Sequence, residues 1–405
     1  MKISLILPPR PYLFEQKSFP YLGVLVVSSA LKKAGHDIKV FDFADGYKYS
    51  RSDFYGIYST NADFSEAKKI RDFIRSYENG AKIMIGGPMA TYSPQECLKE
   101  FEYVAMGDGE ISAYEIIKHK TKGIHIGHLD NIDLYHPDRT ALNLHDYKFY
   151  VDKKLATSMV TSYSCAYGKC AFCSRPPSPF NRVRFHSVDW CKDEIDDVVK
   201  FGFKAIMIYD DEFFTNPKRD KDIVDYLGES IEAWRCFVRT DYTLRNKELI
   251  ERAAKNNLKE VLIGIESGSN TVLSAIDKGC TSSQNFLSVK LLSNCGIKVK
   301  CAMIIGLPSE SEKTLKETWE WCEKAEPYVT DWDFTTFTPL PSSDIYESTY
   351  SYDIQFDKKC TFVPYKAMNM KSEICPIRTK DLTYGEICEA RKNLEDRFKL
   401  KKGGG

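Results

Sequence analysis

Neither sign of charge is in surplus in this chain: Lys and Arg total 57, and Asp and Glu total 57, in 405 residues. That balance removes the broad electrostatic argument for a long nucleic acid or a membrane surface as partner, while leaving room for a local basic patch. Long hydrophobic runs are missing too. The mostly apolar run Ile3 to Leu7 stops at Pro8 and Pro9, which is too short for a secretory signal. The stretch from Tyr21 to Leu31 carries two serines and falls short of the roughly 20 residues that cross a bilayer. Repeats at the short periods of solenoids are absent. These absences predict a cytoplasmic protein with no membrane span. Its thirteen cysteines then argue for thiols and metal ligation, not a disulfide framework. A second C-x2-C pair and any His-x3-His are also lacking, which deprives a structural zinc of its usual second pair of ligands.

The residues that are present suggest two or three domains. Residues 1–125 alternate strand-like and helix-like patterns. The strands are Ile3 to Leu7, Asp37 to Phe43, Phe54 to Ser59, Ala81 to Gly86 and Tyr103 to Met106. Leu22, Leu25, Val26 and Ala30 mark one helix that Gly35 stops, and Ser65 to Tyr77 marks another. Residues 126–150 are polar and irregular and predict a linker. A second series comes next, with strands at Ala156–Ser164, Lys204–Tyr209, Trp234–Arg239, Glu260–Ile265, Val299–Leu307 and Asp333–Phe337. Helices such as Ser187–Lys200 and Glu312–Ala325 lie between them. The expected fold class is α/β: a Rossmann-like doubly wound parallel sheet over residues 1–125, then a partial (β/α)6 barrel of TIM type over 151–345. Residues 346–405 form an extension that ends in a charged helix, Tyr384 to Leu400.

The chemistry concentrates at TSYSCAYGKCAFCSRP, directly after the first barrel strand. Cys165, Cys170 and Cys173 are spaced C-x4-C-x2-C. Three thiolates in one loop can hold three irons of a [4Fe–4S] cluster and leave the fourth open to a chelating amine and carboxylate. Spacing alone leaves two alternatives open: a zinc site, with His186 as a distant fourth ligand, or three unrelated buried cysteines.

The segment resembles the signature of the radical S-adenosylmethionine (radical SAM) superfamily, and residues 156–341 resemble that superfamily as a whole. The family spacing is C-x3-C-x2-C, so one extra residue sits in the first gap here. Phe172 matches the aromatic before the last cysteine. Asp210-Asp211-Glu212 resembles the acidic motif that receives the methionine amino group. Arg239 and Asp241 end the third strand. GIESGS (Gly264 to Ser269) matches a fourth-strand motif in which Glu266 faces the cofactor. IIGLP, with Ile305 and Gly306, matches the fifth-strand motif that packs on adenine. Taken singly, each has a plainer reading: Asp210 and Asp211 as helix-capping acids, Glu266 as a buried carboxylate paired with Arg239, Gly306 as a tight turn. The resemblance implies a [4Fe–4S] cluster on the three cysteines and S-adenosylmethionine on its open iron. It implies one electron from a donor such as flavodoxin or ferredoxin, and a 5′-deoxyadenosyl radical as the product of cleavage. No side chain is assigned a catalytic role from sequence.

Residues 1–125 are similar to the cobalamin-binding domain that precedes the barrel in one radical SAM subgroup, through PYLGVLVVSSALKKAGHDIKVFD, IGGP and GDGE. Ser59, Thr60, Gly86, Gly87 and Gly107 are the candidate lining positions at its strand ends. The cobalt-ligating D-x-H-x-x-G motif is absent, and the first histidine, His36, falls in a helix-to-strand turn. The methylthiotransferase branch is disfavoured because only Cys97 precedes Cys165. Cys236 and Cys301 read as core residues of strands, and Cys360 and Cys375 as tail residues with no evident partners. Tyr163, Tyr167 and Phe185 surround the cysteine loop as cavity lining or packing. Arg175, Arg182 and Arg184 come after it as a basic loop. The expected function is a cobalamin-dependent methyltransferase or related C–H-functionalising enzyme acting on a small molecule or peptide. The alternatives are a cobalamin-independent radical rearrangement or cyclisation enzyme, and a zinc-holding interaction module.

Overall fold

Residues 1–358 and 377–399 are described in the computed structural model of the chain. They form two compact units. The first comprises Met1–Phe149 and Arg175–Arg182; the second comprises Tyr150–Ser174, Val183–Lys358 and 377–399. Among the described residues no helix is long and apolar enough to cross a membrane.

In the first unit, strands β1 (Lys2–Leu7), β2 (Asp37–Asp42), β3 (Phe54–Tyr58), β4 (Ile83–Gly86), β5 (Tyr103–Gly107) and β6 (Gly123–Gly127) form one sheet in the order 2-1-3-4-5-6. Every pairing is parallel. Its helices are α1 (Leu22–Lys33), α2 (Phe64–Tyr77), the short α3 (Pro88–Tyr92) and α4 (Pro94–Leu98), and α5 (Gly109–His119). Alternating residues of the central strands feed two cores. Ile6, Ile57 and Ile85 pack with Ala67, Ile70 and Ile74 of α2. Leu5, Leu7 and Met84 pack with Val24 and Leu31 of α1 and with Ala113 and Ile117 of α5. Burial on both faces explains why these strands read as nearly continuous apolar runs. Helix α1 ends where expected: Gly35 takes φ +84° and returns its N–H to the Lys32 carbonyl.

The sheet has one strand more than the sequence pattern predicts. GIHIG of β6 is half-exposed at the sheet edge, so it lacks the apolar run that marks the inner strands. The expected linker, 126–150, therefore begins inside this strand. Most of the segment beyond β6 is fastened to the first unit. Asp138 accepts Ser28 Oγ and pairs with Lys32 at 2.7 and 2.6 Å. Tyr147 donates its hydroxyl to Asp42 at 2.6 Å.

The second unit opens with β7 (Phe149–Val151) and β8 (Lys154–Met159), then β9 (Ser162–Tyr163) and β10 (Arg184–Phe185). Next come α6 (Val188–Lys200), β11 (Ala205–Ile208), α7 (Pro217–Ser230) and β12 (Ala233–Val238). Helices α8 (Thr240–Arg245) and α9 (Lys247–Lys255) lead to β13 (Leu258–Glu266), and α10 (Asn270–Ala275) and α11 (Ser282–Asn294) lead to β14 (Lys298–Ile305). The unit closes with α12 (Glu312–Ala325), β15 (Asp331–Thr336), α13 (Asp344–Glu347) and α14 (Tyr384–Phe398). Strands β8, β11, β12, β13, β14 and β15 lie side by side in chain order, all parallel, with β7 flanking β8. Strand β15 does not pair with β8, so the barrel is open. All six expected strands are present. Their C-terminal ends deliver the acidic motif after β11, Arg239 after β12, Glu266 on β13 and Gly306 after β14, the face on which barrels of this kind carry their chemistry.

Helix α12 is started by a reciprocal Ser311–Thr314 capping box and packs tightly against the GIESGS segment. A Cβ built on Gly268 would lie 2.7 Å from Thr318 Cα, 2.9 Å from the Glu317 carbonyl and 2.5 Å from Trp321 Cβ. Backbone atoms cannot yield as a side-chain tip can. Gly268→Ala is therefore expected to cost about 1–3 kcal/mol of stability. A urea titration of wild type and variant measures it.

Candidate functional site

The cysteine loop is closed at its base by the antiparallel β9–β10 pair, Tyr163 with Arg184 and Ser162 with Phe185. The buried Asp210 fastens its start. That carboxylate accepts Thr161 N and Thr161 Oγ1, both at 2.6 Å, and Ser162 Oγ at 2.8 Å. Farther along, Ala171 N donates to the Ile276 carbonyl, Ala171 O accepts Ile345 N, and Ser174 Oγ donates to Pro341 O. Ser164 and Gly168 take φ +72° and +57°, so the backbone coils tightly around the cysteines. Cys170 is buried, Cys165 partly so, and Cys173 exposed.

Arg239 is buried and makes contacts in five directions. Its Nε lies 3.0 Å from Asp241 and 3.6 Å from Glu212. Nη1 donates to Cys170 Sγ at 3.5 Å and Nη2 to the Lys278 carbonyl at 2.9 Å. The guanidinium sits 3.9 Å from the centroid of the Tyr167 ring, and Tyr167 is itself held by its hydroxyl to the Asp277 carbonyl at 2.8 Å. Burial works against the charge of Arg239, but Asp241, Cys170 and Glu212 more than offset it and raise its pKa. The longer first gap of the cysteine pattern is thus the segment that carries Tyr167, whose hydroxyl fits against Gly279 at φ +72°.

Glu212 is buried and takes the Cys165 S–H on Oε2 at 3.1 Å. Its other oxygen, Oε1, has no hydrogen-bond partner. Burial pushes Glu212 up to about 7, against the pull of the Cys165 hydrogen bond and Arg239. Burial and the same carboxylate push the Cys165 thiol up to about 12.

The plainer reading of Glu266 named the wrong cation. Glu266, at φ +65° in an irregular step of β13, pairs with Lys278 at 2.8 Å and not with Arg239. Both side chains are buried, and Lys278 Nζ also lies 5.7 Å from the Phe172 ring centroid. Lys278 was not singled out from sequence, because it comes after the short α10 in a polar stretch whose spacing carries no signal. Asp210, expected among the cofactor ligands, has its oxygens occupied by the cysteine loop. It is not the capping acid of the plainer reading either. Asp211 is exposed and accepts the Ser164 backbone N–H. Ile305 is fully buried. Gly306, at φ +94°, donates its N–H to the buried Glu310, and a Cβ there would meet Ile377 at 2.7 Å and Ile387 at 3.0 Å. Glu310 is a further residue that sequence reasoning missed. Its Oε1 is buried without a partner, and burial pushes it up to about 8. Cys236 and Cys301 are core residues, as expected, and Cys360 and Cys375 lie outside the described residues.

In the first unit, strand order reverses between β1 and β3, the position where doubly wound sheets hold ligands. Ser59 and Thr60 come directly after β3 there. Ser59 is fully buried and donates its hydroxyl to Thr60 O at 2.9 Å and to Asp63 at 3.2 Å, while Thr60 N donates to Asp63 at 2.6 Å. Asp63 also accepts Tyr21 Oη at 2.8 Å, and burial pushes it up to about 6. The Tyr21 ring stacks on Tyr58 with centroids 4.1 Å apart. A side chain at Gly86 would meet only Ala105, at ordinary contact distance. Gly87, at φ +90°, has no such room, and above Gly107 the Phe180 ring would lie 2.1 Å from a Cβ.

These features define a class: a two-unit α/β protein with a doubly wound parallel sheet in one unit, and in the other an open barrel whose three-cysteine loop meets the buried Arg239. Residues 159–322 match the radical SAM superfamily and residues 17–117 match the B12-binding domain. The chain therefore carries both a radical SAM domain and a B12-binding domain. It is 26% identical over 390 residues to an uncharacterised methyltransferase of Pyrococcus horikoshii, covering 86% of this chain and 83% of that one. It is 26% identical over 362 residues to a putative methylthiotransferase of Methanocaldococcus jannaschii, covering 83% and 78%. The solved structure of the cobalamin-dependent radical enzyme OxsB, with aqua-cobalamin and S-adenosylmethionine bound, superposes with a TM-score of 0.76 at 19% identity. That match covers 98% of this chain, which spans 66% of the OxsB chain.

The first family implies a [4Fe–4S] cluster and S-adenosylmethionine, the second cobalamin. The residues present fit the first pair. Three cysteines share one loop, a buried cation donates to one sulfur, and a buried carboxylate oxygen beside another lacks a partner. Among the described residues no three His, Cys, Asp or Glu side chains, Cys165, Cys170 and Cys173 included, are gathered as a metal site would gather them. In the first unit the polar groups of Ser59 and the Thr60 N–H are used internally, and a side chain at Gly86 would meet Ala105 at ordinary contact distance.

The Glu266–Lys278 pair gives a direct test of buried charge. Lys278→Met strands a buried carboxylate and is expected to cost about 3–5 kcal/mol. Adding Glu266→Gln should restore most of that. Melting both variants in the metal-free state checks the order.

Proposed function

We propose that this chain uses a [4Fe–4S] cluster, S-adenosylmethionine and cobalamin to functionalise carbon, most directly by methyl transfer, on a small molecule or peptide. The reading is carried by one observation: a B12-binding domain and a three-cysteine radical SAM loop occur on the same chain. The similarity to a relative named as a methyltransferase supports it. When bound, the cluster and S-adenosylmethionine supply a 5′-deoxyadenosyl radical and cobalamin supplies a methyl carrier; the protein supplies binding, orientation and exclusion of water.

Cys165, Cys170 and Cys173 hold the cluster. Glu212 Oε1, which accepts no hydrogen bond within the protein, receives an ammonium group of the cofactor, with Asp211 at its rim. Phe172, Glu266, Ile305 and Gly306 shape the remaining walls, and Arg239 places a guanidinium N–H on the Cys170 sulfur. In the first unit, Ser59, Thr60, Gly86, Gly87 and Gly107 border the corrinoid crevice. A low-potential donor of the flavodoxin or ferredoxin class delivers the electron. None of the eleven cysteines among the described residues is in a disulfide, which suits the reducing cytoplasm.

A second reading, a cobalamin-independent radical enzyme with the first unit as scaffold, is favoured by Phe180 over Gly107 and by the internal use of the Ser59 hydroxyl. Corrinoid stoichiometry separates the two. Anaerobic protein with a reconstituted cluster, loaded with hydroxocobalamin and desalted, should retain about one corrinoid per chain. Retention of none, with the cluster intact, overturns the cobalamin reading and leaves the second. Cys173→Ala should take bound iron from about four per chain to nearly none; full iron content in that variant would sink the cluster assignment.

A further inference from the structure

Arg239 is not placed as a residue that merely lines a cofactor cavity. Its Nη1 donates to the sulfur of Cys170, the most buried of the three cysteines. Every other contact holds that donor in place. Asp241 fixes Nε, the Lys278 carbonyl fixes Nη2, and the Tyr167 ring lies against the guanidinium face. A ring-stacked, forked guanidinium is pre-organised in a way that an ammonium is not. The second buried cation, Lys278, is committed to Glu266 at 2.8 Å.

Hydrogen bonds to ligand sulfurs, local net charge and burial are the levers by which a protein sets the potential of an iron–sulfur cluster. Arg239 pulls all three at one atom. We propose that Arg239 is a tuning residue that raises the reduction potential of the cluster through its charged N–H on Cys170 Sγ, and that Tyr167, carried by the lengthened first gap of the cysteine pattern, holds it there. This rests on the reading of Cys165, Cys170 and Cys173 as cluster ligands. The redox step is simple: one electron from an external low-potential reductant converts the oxidised cluster to its singly reduced form. A fixed positive charge at a ligand sulfur stabilises the more negative, reduced form. Asp241 opposes this by partly cancelling the charge.

The test is a potentiometric titration of the reconstituted full-length protein, monitored by the electron paramagnetic resonance signal of the reduced cluster, without S-adenosylmethionine. Arg239→Gln keeps a neutral donor and loses the charge. At fixed ambient potential its reduced-to-oxidised ratio should fall by about tenfold, which is about 59 mV for a one-electron couple. Arg239→Lys should recover part of that fall. Asp241→Asn should move the ratio the other way, and it serves alone if Arg239→Gln fails to hold iron. An unchanged potential in Arg239→Gln with full iron content overturns the proposal. So does an Asp241→Asn potential that stays put or drops. A wild-type protein that binds no cluster fails the underlying assignment instead, and is recognised by its iron content.

Discussion

The barrel site depends on keeping one guanidinium charged where water is scarce. A buried cation survives only if its partners repay the lost hydration, and Arg239 has them arranged around it: two carboxylates, a carbonyl, an aromatic face and a thiol sulfur. These partners come from separate parts of the chain. Glu212 lies beyond β11, Asp241 is in the first turn of α8, Lys278 comes after α10, and Tyr167 and Cys170 belong to the loop after β9. The charge therefore ties the strand ends together at the mouth of the barrel. Loss of hydration at one atom constrains the conformation of four segments.

Much of the architecture was legible because its physics is local. The inner strands of both sheets are buried on both faces, so they appear as apolar runs, and all six barrel strands were placed to within a few residues. The misses have a common cause. Strand β6 lies at an edge and is half-exposed, so its composition does not differ from a loop. Residues 128–149 looked like a linker because their attachment runs through side-chain hydrogen bonds, such as Tyr147 to Asp42, which leave no periodicity.

The site shows the same division. The cysteines and the strand-end acids stand out in the sequence because motif spacing reports them. Their partners were not, because pairing is set by tertiary geometry. Glu266 faces Lys278, twelve residues on, where one more lysine in a polar stretch carries no mark. Asp210 and Glu212 are two residues apart and look equivalent in sequence, yet one fastens the loop with three hydrogen bonds while the other keeps an unpartnered oxygen. Position at the strand end, not residue type, decides which acid is structural.

Burial and the charges around the cysteines also account for the raised thiol of Cys165. Near Cys170 two buried cations, Arg239 and Lys278, face three carboxylates, Glu212, Asp241 and Glu266. With the carboxylates ionised the bare site is already short of positive charge, and three thiolates would deepen the deficit. Cys165 accordingly keeps its proton, pushed up to about 12, and shares it with a Glu212 pushed up to about 7. Ligating sulfur must be deprotonated, so metal binding expels that proton. On the proposed assignment, ligation at Cys165 would release its hydrogen bond to Glu212. That would free Glu212 Oε2, while Oε1 lies 3.6 Å from Arg239 Nε. An occupant that fits the proposed assignment would thus have to bring positive charge to the sulfurs and a hydrogen-bond donor to Glu212.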